Sequence, residues 1–289
     1  MKYMMELAGV RVAADVPFGM HESTPTAEFF RPAAEDERGD LELELVPVDR
    51  LPEMFDVRYE EPRRIYAGEG EGAGTYFKAH PDLPPYAFVS RRTVKDGCLR
   101  CEYLPGNEKY MDYADNLLTL MDLEATLLDF GALLLHASLI RWQGKGIVFT
   151  APSGTGKSTQ ASLWEQHAGA EVLNGDRAAL RVTDGAWRAY GLPYAGTSGI
   201  YRNESAPLAA VVALRQAGEN RVRRIRGAEA FRYLYPETMI HRWDAEFERR
   251  ATDLLLGLMG EAPVWLLECR PDGEAVALMK ETIQKETEL

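Results

Sequence analysis

The segment Ala151-Pro152-Ser153-Gly154-Thr155-Gly156-Lys157-Ser158-Thr159 constrains this chain more than any other. It follows the apolar run Ile147-Val148-Phe149-Thr150 and leads into a stretch, Thr159 to His167, with no helix breaker. Strand, glycine-rich turn, then helix is the context in which a backbone cradles phosphate. Gly154 and Gly156 let successive N–H groups converge on phosphate oxygens. A helix opening near Lys157 adds unpaired donors and a partial positive charge. Lys157 would neutralise charge on the β- and γ-phosphates, and the Ser158 hydroxyl is placed to ligand Mg²⁺. The expected nucleotide-binding residues are therefore Ser153, Gly154, Thr155, Gly156, Lys157, Ser158 and Thr159. Ala151 stands where the usual pattern has its first glycine, a position that tolerates a methyl group in extended backbone. The plain alternative is a Gly/Ser turn with no ligand.

Composition fixes the setting of this loop. The 289 residues suffice for one large domain or two modest ones, and 46% hydrophobic with 27% charged residues exclude a disordered chain. No apolar run approaches the ~20 residues that cross a bilayer, and Glu6 follows Met1 too soon for a secretory signal. Three cysteines make no disulfide framework, so a cytoplasmic setting is expected. The net charge of −12 repels a nucleic-acid backbone and excludes general nucleic-acid binding. A small phosphorylated ligand, held by one loop, is still allowed.

The first part of the chain reads as short strands. Leu41 to Val46 alternates with period two, Tyr86 to Ser90 and Cys98 to Tyr103 are similar, and Gly68 to Gly74 is a glycine-rich interruption. Tyr110 to Phe130 reads as helix, with Leu117, Leu120, Met121, Leu127 and Leu128 on one face. Beyond Gly131 the order is strand (Leu133 to Trp142), turn, strand, loop and helix. Strands led by Val172 and spanning Leu208 to Leu214 follow, then helix (Ala245 to Met259), strand (Val264 to Cys269) and helix (Glu274 to Gln284). The expected fold class is α/β: a β-rich N-terminal region, 1–110, and a phosphate-loop nucleotide-binding domain, 111–289.

A phosphoryl-transfer site also needs a carboxylate. Val172-Leu173-Asn174-Gly175-Asp176 ends an apolar strand in an acid, on the side of a parallel sheet where the phosphate loop lies. Asp176 can bind Mg²⁺, accept a proton, or simply cap a turn. His136 is the third candidate. A hairpin centred on Gly144-Lys145 sets it opposite Ser153, beside the γ-phosphate, though a histidine in an apolar strand also serves as a core residue.

Leu135-His136-Ala137-Ser138, Ala151 to Thr159 and Leu173-Asn174-Gly175-Asp176 together resemble the catalytic domain of HPr kinase/phosphorylase. The same order is similar to the nucleotide site of the phosphoenolpyruvate carboxykinases, which share that fold. Over roughly residues 131 to 285 the chain also resembles bacterial HPr-kinase-related proteins, some of which phosphorylate a serine of a precursor peptide. The resemblance implies that Asp176 is the general base, that Lys157 and Ser158 hold ATP and Mg²⁺, and that His136 lies beside the transferred phosphate. Asp176 is followed by Arg177, where both relatives carry a second acid. The expectation is an ATP- and Mg²⁺-dependent kinase acting on a serine hydroxyl of a protein or peptide, with an oligomer allowed. A small-molecule acceptor and a nucleotide-binding sensor without transfer activity are the alternatives.

Three weaker patterns complete the sequence. Cys98-x-x-Cys101 lacks a second pair, and residues i and i+3 of a strand point to opposite faces, so it reads as structural. Gly191 to Gly199 is either a loop over the acceptor, with Arg202 meeting a phosphate, or a surface loop. Arg215, Arg221, Arg223, Arg224, Arg226 and Arg232 form a basic cluster that reads as a solvated hairpin face or as a dock for an acidic peptide.

Overall fold

A computed structural model describes residues 1–20, 28–62, 64–68, 70–77, 88–93, 97–108, 111–112, 114–194 and 196–287. The chain forms two compact units, Met1–Phe130 with His241–Glu248, and Gly131–Ile240 with Arg249–Leu289. The division thus falls at Phe130/Gly131 rather than at residue 110. The helical residues before Gly131 go with the first unit because their apolar face, Leu117, Leu120, Met121, Leu123 and Leu127, is buried there.

The first unit is built on a nine-stranded sheet. Its strands are β1 (Lys2–Leu7), β2 (Val10–Asp15), β3 (Phe30–Pro32), β4 (Leu41–Pro47), β5 (Val57–Glu61), β6 (Arg64–Ala67), β7 (Gly74–Phe77), β8 (Phe88–Thr93) and β9 (Cys98–Tyr103). Their order is β3-β1-β2-β4-β9-β8-β7-β6-β5, with β2–β4 and β4–β9 parallel and the remaining pairs antiparallel. Tyr86 and Ala87 of the expected strand lie outside the described residues, as does Glu69 of the glycine-rich interruption.

The helix expected over Tyr110 to Phe130 is two short ones, α1 (Ala114–Leu120) and α2 (Leu123–Asp129); Tyr110 lies outside the described residues. The break is at Asp122, whose φ of 50° and ψ of 66° are left-handed. Aspartate visits that region more readily than most residues. Here it is 4% exposed and bound into its surroundings: Thr75 Oγ1 donates to Oδ2 at 3.3 Å, while Oδ1 lies 3.7 Å from Arg64 Nη1 and 3.5 Å from His241 Nε2.

The second unit contains β10 (Ala132–Trp142), β11 (Lys145–Thr150), α3 (Lys157–Ala168), β12 (Glu171–Asn174), β13 (Arg177–Thr183), β14 (Ala186–Gly191), β15 (Ser205–Gln216), β16 (Arg221–Arg224), α4 (Gly227–Leu234), α5 (Ala245–Glu261, its first turn in the first unit), β17 (Val264–Cys269) and α6 (Gly273–Thr287). Two long strands each change partner along their length. Ala132–His136 of β10 pairs with β13, while Leu139–Arg141 pairs with β12. Ser205–Pro207 of β15 likewise faces β14, and Leu208–Ala213 faces β11. β10 is buried along most of its length and β15 from Ala210 to Leu214, the near-continuous apolar runs expected of strands covered on both faces. Phe149, Val212 and Leu267 share one core with Trp164 of α3 and Met279 of α6.

Direction sets the position of the site. β11, β15 and β17 are parallel, and β12, antiparallel to β10, runs the same way. The carboxyl ends of all four therefore lie on one edge, which is where open α/β sheets take their ligands. The β10–β11 hairpin turns on Gln143-Gly144, with φ of 50° and 75°, and pairs Ala137 with Thr150 and Trp142 with Lys145. That register corrects the expected one by two residues, because a two-residue turn wants both central residues at positive φ. A shift of two keeps each side chain on its face. His136 pairs with Arg177 of β13 instead of facing Ser153.

Candidate functional site

The loop after β11 turns through Gly154 at φ 79° and Gly156 at φ 117°, values that disfavour any residue with a Cβ. Gly156 caps α3 without a side-chain hydrogen bond, so the first turn of that helix has no capping side chain to satisfy it. Lys157 begins the helix and is only 6% exposed. Its Nζ donates to the carbonyl of Ala151 at 2.7 Å and lies 3.5 Å from that of Pro152. Burial holds this ammonium below the ordinary lysine value, and the nearby carboxylates of Glu237 and Asp176 partly oppose the shift.

The end of β12 meets the loop through one carbonyl. Gly175 O accepts from Ser158 Oγ at 3.4 Å and from Ser138 Oγ at 3.3 Å. The fully buried Asn174 shapes the turn: its Oδ1 accepts from the backbone N–H of Asp176 and of Arg177, both at 2.8 Å, while Nδ2 donates to Leu192 O at 2.6 Å. Asp176 thus follows directly on the carbonyl that Ser158 meets and lies within electrostatic reach of Lys157. Its Oδ2 lies 3.5 Å from Arg177 Nε, and the Arg177 guanidinium stacks 4.2 Å from the centre of the Tyr194 ring.

The glycine-rich segment after β14 packs onto this turn. A Cβ on Gly196 would sit 2.7 Å from Asp176 Cβ, and one on Gly175 would sit 1.9 Å from Ser198 Oγ. Ala195, within the segment, lies outside the described residues. On the other side of the loop, a cavity of about 500 Å³ is bounded by Gly154, Gly156, Thr159 and the ends of β15 and β17. Gln216 Nε2 there donates to the carbonyls of Gly154 and Thr155, at 3.4 and 3.3 Å.

His136 meets a residue that the sequence did not single out. Its Nδ1 lies 3.1 Å from Oε2 of Glu237, a carboxylate 8% exposed at the end of the 3₁₀ turn Tyr235–Glu237. The turn is docked on β10 by a bridge between Leu135 and Thr238 and by Met239 N–H donating to Leu134 O. Pro236 marks a turn in the sequence, but nothing local marks Glu237 as buried.

The weaker patterns resolve into structure. Cys98 is half-buried and Cys101 buried, both thiols are free, and burial pushes both above the ordinary thiol value. In the basic cluster, Arg215 meets Glu268, Arg221 meets Glu219, Arg223 and Arg232 meet Glu229, and Arg224 meets Glu286. Five of the six arginines of the cluster thus have a carboxylate neighbour. Among the described residues Asp122, Glu124 and His241 of the first unit are close enough to hold a metal. The Arg64 guanidinium, 3.7 Å from Asp122, already supplies a cation there. No helix among the described residues is long and apolar enough to cross a membrane.

Fold and site together define a mixed α/β protein whose second unit carries a glycine turn, a buried helix-start lysine and an acid on one sheet edge. The chain belongs to the family described as SynChlorMet cassette protein ScmC, which matches residues 99–245, just over half of the chain. The matched stretch contains His136, the glycine loop, Asp176 and Glu237. The HPr(Ser) kinase/phosphatase from Coxiella burnetii is similar over 54% of this chain and 90% of its own, at 12% identity and a TM-score of 0.31, too slight a likeness to carry fold or function. No curated protein matches the sequence.

Proposed function

We propose that this chain is a kinase that uses ATP and Mg²⁺ to phosphorylate a serine hydroxyl of a protein or peptide, and that Ser153–Thr159 is a phosphate loop of the nucleotide-binding type. The observation that carries it is Lys157, a buried ammonium held at the start of α3 on a backbone carbonyl, within electrostatic reach of Asp176. A buried cation bonded to a carbonyl can exchange that acceptor for a phosphate oxygen. The residues present fit the nucleotide and the metal: two glycines at positive φ and the uncapped first turn of α3 offer N–H groups, and Ser158 and Asp176 offer oxygen ligands. Bound Mg²⁺ would neutralise charge on the phosphates. Lys157 then holds the β/γ-phosphates, Asp176 accepts the proton of the acceptor hydroxyl, and His136 lies beside the group in transit. Positioning and charge neutralisation supply most of the rate in such a transfer.

One observation favours a second reading. Arg177, 3.5 Å from Asp176, offers the carboxylate a standing partner, as a nucleotide sensor without transfer activity would tolerate. Assaying labelled phosphate transfer from ATP to serine-containing peptides separates the two. The kinase should label at least one acceptor, and Asp176→Asn should lower turnover about 10²–10⁴-fold, the usual share of general-base catalysis, with little change in ATP affinity. Full transfer by Asp176→Asn would remove the base assignment. Nucleotide binding by the wild type with no acceptor labelled would favour the sensor.

A further inference from the structure

We infer that Glu237 is the positioning residue of His136: its buried carboxylate accepts the hydrogen bond of Nδ1–H and leaves Nε2 as the open, proton-accepting nitrogen. The pairing is built by the backbone. In the antiparallel bridge that joins Leu135 to Thr238, the next pair inward is His136 and Glu237, so the two side chains are cross-strand neighbours. The turn bearing Glu237 is fixed on both sides, by Thr238 N–H donating to Tyr235 O at 3.2 Å, Thr238 Oγ1 to Leu234 O at 2.9 Å, and Met239 N–H to Leu134 O at 2.9 Å.

Energetics select the same arrangement. A carboxylate 8% exposed must be answered by a hydrogen-bond donor or a cation. The donor is His136 at 3.1 Å, and the Lys157 ammonium lies within electrostatic reach. Carboxylate on one imidazole nitrogen settles which nitrogen carries the proton, because the ionised acid can only accept. The isosteric amide can donate as well as accept, so it loses that selection. The second acid of this site therefore comes from a turn 101 residues away in sequence, not from the position after Asp176.

This assignment rests on the kinase reading only for its kinetic consequence; the tautomer itself does not. On the full chain, nitrogen NMR of ¹⁵N-labelled histidines, with His136→Gln to assign the signal, should show His136 protonated at Nδ1, and Glu237→Gln should give a mixture of both tautomers. Where an acceptor is phosphorylated, Glu237→Gln should lower kcat about 10–100-fold, the usual effect of removing a partner that orients an imidazole, with KM for ATP within about twofold of the wild type. In a His136→Ala background the same substitution should cost nothing further, since its effect runs through the imidazole. Should Glu237→Gln fail to fold, Glu237→Asp takes its place and should retain the Nδ1–H form. A wild-type His136 protonated at Nε2, or a full additional loss in the double variant, overturns the inference whether or not the chain proves to be a kinase. Absence of any transfer alongside an Nδ1–H imidazole sinks the kinase reading and leaves the pairing in place.

Discussion

Both units bury ionisable side chains, but Lys157 of the second is answered differently from Asp122 of the first. In the first, the Asp122 carboxylate faces the Arg64 guanidinium, the His241 imidazole and the Thr75 hydroxyl. His241 is itself stacked between Trp243 and Phe247, with ring centres 4.7 and 4.3 Å away, and Tyr66 donates to Asp244 at 2.8 Å. Each charge there meets a side chain of the opposite kind. In the second unit the buried Lys157 ammonium is bonded to main-chain carbonyls, and the nearest carboxylates act on it only at a distance. A buried charge fully paired by side chains holds structure together. One left on a carbonyl, at the edge where four parallel strand ends meet, is on the proposed reading held for a ligand.

The largest effect expected from this contrast is on chemistry. Lys157→Ala should abolish measurable transfer, a loss of about 10³-fold or more, as when a preorganised charged or hydrogen-bonding partner of the transition state is deleted. Its urea midpoint should move only slightly, since the Ala151 carbonyl loses its donor while the cost of burying the ammonium is relieved. Undiminished transfer would erase the distinction between the units. Next comes Arg64→Met, which strands Asp122 and should destabilise the protein by about 3–5 kcal/mol, read by denaturant unfolding, while ATP affinity of the folded molecules is unchanged. A loss under about 1 kcal/mol, the value of an exposed pair, would show that the cluster is not a structural one.

Gly196→Ala is a smaller perturbation that sharpens the role of Asp176. The added methyl would press on Asp176 Cβ at 2.7 Å, at a residue with φ 52°, so the carboxylate must shift. Turnover should fall roughly tenfold, consistent with the sensitivity of positioned groups to small displacements, with stability reduced by about 1–2 kcal/mol for the left-handed backbone. A stability loss with turnover intact would detach the glycine segment from the chemistry. The smallest effect concerns pH. Burial lowers the Lys157 value below 10.5, so the unfolded chain binds that proton more tightly than the folded one. Stability should therefore rise with pH across the interval between the two values, and Lys157→Met should flatten that rise in a series of urea titrations.

What was legible in the sequence was local. The strand Val264–Cys269 and the helix opening at Lys157 are found where apolar runs and glycines announced them. The approach of Asp176 to the glycine loop followed from an acid at the end of an apolar strand, because parallel strands share one carboxyl edge. Features that depend on distant contacts were hidden. Asp122 breaks an otherwise periodic helix because Arg64, Thr75 and His241 gather around it, and no window around residue 122 contains them. The hairpin register was missed by two residues because Lys145 reads as a turn residue until Gln143 is seen to take positive φ. Glu237 was hidden most completely, since its burial comes from a bridge to β10 far earlier in the chain. The basic cluster was visible as charge, but its neutralisation by Glu268, Glu229 and Glu286 was not.

The bond from Lys157 to the Ala151 carbonyl has a consequence for selectivity among anions. An arriving phosphate must draw the ammonium away from an internal acceptor, leaving a nearly buried carbonyl without its donor, at a cost of about 1–3 kcal/mol. On the proposed reading a lone phosphate or sulfate offers fewer oxygens to the loop's N–H groups to offset that cost. A chain of phosphates spans the whole turn and meets several at once. On the proposed reading the resting lysine thus sets a threshold, one that a polyphosphate passes more readily than a single small anion.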